Sequence, residues 1–184
     1  MNESTTTTTT TTAALVAVPT VHGTFEAALT ERGLRCLMFP NQPGAAERWL
    51  AGHLPGVVVR TADPRAAAIA AELDAYFRGD LSAFTVPLDL AGTPFQMSVW
   101  RQLQAIPYGE VRSYADVARA IDRPQAVRAV GAANGANPVP IIVPCHRVIG
   151  SSGALTGFGG GLDWKRRLLA TENAGRWGEL PLLA

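Results

Sequence analysis

The stretch that most restricts how this chain can fold spans residues 137–161. It opens with three prolines, Pro138, Pro140 and Pro144, each of which fixes φ and removes a backbone donor. It closes with Gly157, Gly159, Gly160 and Gly161, where the backbone can come close to a ligand. Between them Cys145 stands directly before His146. A stiff approach, a thiol, a titratable ring and a pliable loop suggest an active site. A lone cysteine after Ile-Ile-Val is more often a small buried hydrophobe, so the reading depends on what the rest of the chain brings to it.

The 184 residues are 47% apolar, enough for a real core in one large domain or two small ones. No apolar run approaches the ~20 residues of a membrane span. No charged segment, apolar stretch and cleavage site open the chain, so the cytoplasm is the expected location. Cys36 and Cys145 are far apart in sequence, and a disulfide between them would consume the candidate nucleophile; reduced thiols fit better. The net charge of +1 hides an asymmetry. Residues 1–92 carry six Arg against nine Asp and Glu, a net −3; residues 93–184 carry ten Lys and Arg against six acids, a net +4. The cysteine half is the cationic half, which suits a phosphate-bearing partner.

In chain order, the run of eight threonines predicts a disordered tail over 1–18. Residues 24–29 and 34–39 read as a hairpin turning at Gly33. A short helix around 45–50 and a strand at 57–59 follow. Asp63-Pro64 opens a helix whose apolar face is Ile69, Leu73, Tyr76 and Phe77, stopped by Gly79. Residues 84–90 alternate like a strand or an extended linker. The expected organisation is a small N-terminal α/β domain over 19–90, a mainly helical domain over 91–176 and a tail over 177–184.

The second half begins with Thr93-Pro94-Phe95-Gln96, a capping box with proline at the first helical position. A second short helix starts at Ser113 and runs to about Ala120. Pro124 is expected to open a third, running to Gly135. Two short helices joined by a tight turn, followed by extended chain, read as a helix-turn-helix with a wing. The third helix carries small side chains, one arginine (Arg128) and Gly131 at its centre, which costs roughly 1 kcal/mol against alanine. A small-residue face suits close contact in a narrow groove with little base readout. The last helix is expected over 163–173, closed by Gly175.

Pro144-Cys145-His146-Arg147-Val148 resembles the signature of the O6-alkylguanine-DNA alkyltransferases, and residues 92–96, 99–100, 106–110, 128–131 and 137–138 fall where that family has them. The resemblance runs from about Phe84 to Asn173, and more weakly back to Val21. It implies direct-reversal repair: transfer of the O6-alkyl group of guanine in double-stranded DNA, with O4-alkylthymine as a further candidate, to Cys145 after nucleotide flipping. It implies that Arg128 fills the gap left by the flipped nucleotide and that Tyr114 sits near the target phosphate. Ser113, Ala126, Ala129, Gly131 and Ser151 would complete the DNA contacts. Pro140, Val148, Phe158 and Gly159 would line the substrate pocket, Asn137 would act as a hinge, and Arg147 would tie the loop to a carboxylate.

The chemistry is consistent with those residue types. Displacement at an sp³ carbon calls for a soft nucleophile, and thiolate fits where hydroxyl does not. Neighbours on an extended strand point to opposite faces, so His146 can serve Cys145 only through a turn after Pro144 or a bridging water. Glu172 is expected at the negative end of its helix dipole, an unfavourable place that suggests a compensating partner; the implied relay is Cys145–water–His146–Glu172. A thioether product offers water no carbonyl, so the protein should act once. Phe158 departs from the family's usual tyrosine and loses a hydroxyl. A cysteine hydrolase and a recognition module without transfer are the rival readings. His22, Cys36 and His53 are too few for zinc and lack ligand spacing, so no metal and no cofactor is expected. A monomer is expected, and the acidic half shows no visible catalytic residue, which leaves it a scaffolding role.

Overall fold

The computed structural model describes residues 12–55 and 57–172. The expectations for residues 1–11, for a helix end at 173–175 and for the C-terminal tail lie outside the described residues. The N-terminal half is a four-stranded sheet in the order β3-β2-β1-β4. Strands β1 (Thr12–Thr20), β2 (Gly23–Thr30) and β3 (Gly33–Met38) are antiparallel neighbours, and β4 (Val58–Arg60) pairs parallel with β1. The expected hairpin is β2–β3.

The expected tail over 1–18 is corrected at its C-terminal end, because residues 12–18 lie in β1. Their alternation explains it: Ala14, Val16 and Val18 are buried in one core cluster and Ala13 in the other. A threonine-rich approach is no obstacle, since β-branched residues suit a pleated surface. Helix α1 (Ala45–His53) covers one face of the sheet through Ala46 and Leu50. Helix α2 (Arg65–Phe77) covers the other through Ile69, Leu73 and Tyr76, one stripe at i, i+4 and i+7. The helix starts one residue later than Asp63-Pro64 predicts: Pro64 is the N-cap, and Asp63 accepts the Arg65 N–H at 3.0 Å from just outside it.

Residues 78–93 cross to the second half without forming a strand; Leu88 makes only an isolated parallel bridge to Leu34. The capping box at Thr93 and Gln96 forms, and α3 (Pro94–Gln104) buries Val99, Trp100 and Leu103. A second capping box, Ser113 with Asp116, starts α4 (Tyr114–Ala120). The turn that follows passes through Asp122 at φ 56°. Helix α5 runs Val127–Gly135, three residues later than expected from Pro124, because residues 123–126 close a turn in which the Ala126 N–H donates to the Arg123 carbonyl at 2.8 Å. The Trp100 indole N–H donates to the Ala133 carbonyl at 2.9 Å and ties α3 to α5. The wing is reduced to two short parallel strands, β5 (Arg112–Ser113) and β6 (Val148–Ile149), with a tight turn over 150–154. Helix α6 (Leu162–Thr171) packs against the cysteine turn. One continuous apolar cluster draws on the sheet, α2, α3, α4, α5 and α6 together.

Candidate active site

The cysteine lies in a turn built by its own prolines. Residues 145–147 form a single 3-10 turn after Pro144. Before it, Ile141 adopts φ 74°, a rare conformation for a β-branched residue and one that costs of order 1–3 kcal/mol. A Val143 N–H to Val139 carbonyl bond and full burial of the Ile141 side chain hold it there. Asn137 braces the same loop from inside, its amide donating to the Val143 carbonyl at 2.8 Å and its oxygen accepting the Val139 N–H at 3.1 Å. Asn137 thus ties the cysteine loop at two backbone positions. Asn134 adds a longer contact to the Cys145 carbonyl at 3.4 Å.

His146 is buried, and its Nε2 lies 2.8 Å from Glu172 Oε1. Its Nδ1 is buried and has no hydrogen-bond partner within the protein. If Nε2–H donates to the carboxylate, Nδ1 is left as the basic lone pair. Arg147 approaches Glu172 as a fork, Nε to Oε2 at 2.8 Å and Nη2 to Oε1 at 2.9 Å, and its Nη1 donates to the Ile106 carbonyl. The Gly109 N–H and the Tyr76 hydroxyl complete the donors at 3.2 and 2.8 Å. Glu172 sits on the Lys165–Leu168–Leu169 face of α6, which turns the carboxylate inward. Burial alone would raise its pKa, but the bonds from His146 and Arg147 and their charges hold it at about 2. The carboxylate at the end of the helix therefore has the compensating partners its position requires.

Burial dominates the two groups that would exchange a proton. It pushes the Cys145 thiol up to about 11, against the pull of Asn137, the Lys165 charge and the backbone N–H groups of Cys145 and His146. It pushes His146 down, against the pull of Glu172. Lys165 was not anticipated. It is fully buried in α6, donates to the Val148 carbonyl at 2.6 Å and the Thr156 carbonyl at 3.2 Å, and burial lowers its ammonium to about 8. Its lysine type marks it in sequence only as a surface charge.

Cys145 opens into a cavity of about 360 Å³ whose walls include Pro140, Phe158, Gly159, Asn137, Phe39 and Trp49. Pro140, Phe158 and Gly159 stand where expected. Val148 does not line it: the side chain is fully buried behind the turn and its carbonyl holds Lys165. The acidic half supplies much of the opposite wall, so it is more than a scaffold. Gln42 Nε2 donates to the Gly159 carbonyl at 2.8 Å and Asn41 Nδ2 to the Gly160 carbonyl at 3.0 Å. Gly160 is needed for Phe39 rather than for a ligand, since a Cβ there would lie 2.7 Å from the ring.

On the helix-turn-helix, Arg128 and Ala129 are exposed, Ala126 is half-buried at the N-cap of α5, and Ser151 is exposed in the turn after β6. Tyr114 is half-buried beside Gly131, and its hydroxyl accepts from Thr156 at 3.2 Å. The Ser113 hydroxyl is committed to Asp116 in its capping box. The metal candidates are dispersed: His22 meets Arg167, His53 stacks on Trp49, and Cys36 is buried in the sheet.

A helix-turn-helix face beside a pocket lined by a cysteine, with a buried histidine–carboxylate pair next to that cysteine in the same turn, defines a class, the DNA-acting proteins with a cysteine nucleophile. Residues 94–174 match the family model described as 6-O-methylguanine DNA methyltransferase, DNA binding domain. A methylated-DNA–protein-cysteine methyltransferase of Mycolicibacterium paratuberculosis is 62% identical over 113 residues, 61% of this chain and 68% of that protein. The inducible one of Bacillus subtilis is 46% identical over 149 residues, 80% and 83% of the two chains. Mycobacterium tuberculosis OGT, solved in complex with DNA, superposes with a TM-score of 0.74 at 42% identity, covering 87% of this chain and 92% of that one. The chain belongs to the methylated-DNA–protein-cysteine methyltransferase family.

Proposed function

We propose that this protein repairs O6-alkylguanine in double-stranded DNA by moving the alkyl group to its own Cys145, once per molecule. The observation that carries the reading is the buried pairing of His146 with Glu172, next in the chain to a cysteine that lines a pocket beside the helix-turn-helix. The lesion lies inside a duplex, so the nucleotide must be extruded, at a cost of a few kcal/mol. Helix α5 enters the minor groove with its small-residue face. Its N-cap, Ala126, gives no side-chain bond, which leaves the first N–H groups for phosphate. Arg128 fills the vacated stack, Tyr114 steers the phosphate, and Ser113, Ala129, Gly131 and Ser151 complete the contact surface.

With the base in the pocket, Nδ1 of His146 takes the thiol proton through one bridging water. Glu172 stabilises the imidazolium that forms. The Sγ–C bond then forms as the C–O6 bond breaks, the bonding pair stays on guanine, and the proton returns there. The thiol rests protonated, which suits a nucleophile that meets its substrate once. The product thioether offers water no carbonyl to attack and only a poor thiolate leaving group, so turnover stops. O4-alkylthymine presents the same kind of carbon and is a second substrate. The protein acts as a monomer in the cytoplasm.

The test is intact-protein mass spectrometry after incubation with a duplex carrying one O6-methylguanine. The expected result is a gain of one methylene on Cys145 that saturates at one equivalent. Loss of the lesion with the thiol unmodified would overturn the reading.

A further inference from the structure

Tyr76 comes from α2, in the half of the chain without expected chemistry, yet its hydroxyl ends in the histidine–carboxylate pair. It is fully buried and donates to Glu172 Oε1 at 2.8 Å, with a weaker contact of 3.4 Å to His146 Nε2. Oε1 is also the oxygen that His146 and Arg147 Nη2 engage, at 2.8 and 2.9 Å. Three donors therefore compete for one oxygen. Packing does not require the hydroxyl: the ring rests on Phe77, Phe84 and Tyr108 with centroids 5.6, 5.3 and 6.1 Å away, and a phenylalanine would fill the same space. A buried hydroxyl is costly unless bonded, and both partners of this one belong to the relay.

We infer that Tyr76 is a positioning residue for alkyl transfer, which sets, from the N-terminal half, how much of the Glu172 charge His146 feels. The inference rests on the functional reading above. The groups facing His146 are Glu172 and Lys165 on α6, Cys145 and Arg147 on its own turn, and Tyr76 on α2, with Tyr108 beyond Tyr76. Of these, Tyr76 is a neutral donor that draws on the oxygen bonded to the imidazole. Removing its hydroxyl leaves two donors on Oε1 and more negative charge against Nε2–H. The imidazolium is then favoured and His146 titrates at higher pH.

The experiment is single-turnover methyl transfer from an O6-methylguanine duplex as a function of pH, for the full chain, Tyr76→Phe and Tyr108→Phe. Tyr108 is the control: its hydroxyl donates to the Thr171 carbonyl at 3.0 Å and leaves the carboxylate untouched. In Tyr76→Phe the acid limb of the rate profile moves up by roughly half a unit to one unit, the scale of one hydrogen bond. On the acid limb, below the parent's midpoint, the rate then falls about threefold to tenfold, as that shift requires, and the alkaline plateau is kept. Tyr108→Phe leaves the limb in place. A Tyr76→Phe profile that superimposes on the parent, or falls evenly at every pH, overturns the assignment. NMR titration of the His146 ring reads the same shift without any transfer, so absence of methyl transfer by the parent protein would refute the functional reading and leave Tyr76 still testable. A 3-fluorotyrosine at position 76 keeps the ring and strengthens the donor; it should move the titration down, and no movement would count against the inference.

Discussion

Cys145 and His146 are adjacent in sequence, and a 3-10 turn lets the two act on a common site. Their burial sets opposite biases, thiol up and imidazole down, so Glu172 must supply the drive. Glu172→Gln keeps the shape and removes the charge. Single-turnover transfer should slow about 10²-fold or more, the usual worth of a positioned acid–base group. Phe158 lines the pocket and meets Phe39 edge-on at 5.5 Å. Phe158→Tyr would place a hydroxyl at the pocket wall, and one hydrogen bond to the leaving O6 is worth about 1 kcal/mol. The transfer rate should rise roughly fivefold by that measure, and an unchanged or slower rate would show that the hydroxyl finds no partner.

At the level of elements, α5 carries a conflict between stability and contact. A Cβ at Gly131 would touch only the Tyr114 ring, at an ordinary 3.9 Å. Among the described residues nothing demands glycine there, whereas the duplex contact proposed for this face would. Gly131→Ala should stabilise the fold by about 1 kcal/mol, raising Tm by roughly 2–4 °C for a chain of this size, while duplex binding weakens. Calorimetry and a fluorescence binding titration would read the two effects in opposite directions. If binding were unchanged, the helix would not approach DNA at that residue.

For the whole molecule, the two halves are joined at the active site as well as through the core. Phe39 and the loop after it hold the glycine-rich loop, and Tyr76 reaches the relay. Gly160→Ala would drive a methyl into the Phe39 ring, an overpacking cost of about 1–3 kcal/mol. Tm should fall by several degrees and the transfer rate with it. The acid stability of the fold should also follow Glu172. Its carboxyl is held at about 2, against an ordinary 4.5, so folding gains from its ionisation above pH 4.5. That gain is lost as pH falls from 4.5 towards 2. Chemical denaturation at stepped pH should show a steeper loss for the parent protein than for Glu172→Gln across this window.

The sequence by itself determined the local features: the capping box at Thr93, the β2–β3 hairpin, the stripe on α2, and the cysteine motif with its adjacent histidine. Each depends on residues a few positions apart, where backbone preference and side-chain period decide. Strand β1 was missed because the threonine run beside it masked an alternation that only pairing with β2 and β4 makes stable. The start of α5 moved because a turn at Asp122–Ala126 competes with helix after Pro124. Tertiary structure alone decided that Tyr76, read as a core residue on the face of Ile69 and Leu73, would bring its hydroxyl to Glu172. The same holds for Lys165, which became a buried clamp on two carbonyls, and for Val148, which turned away from the pocket. These contacts join residues 9 to 96 positions apart. No spacing rule covers that range, because it is the packing of α2 and α6 around the cysteine turn that brings them together.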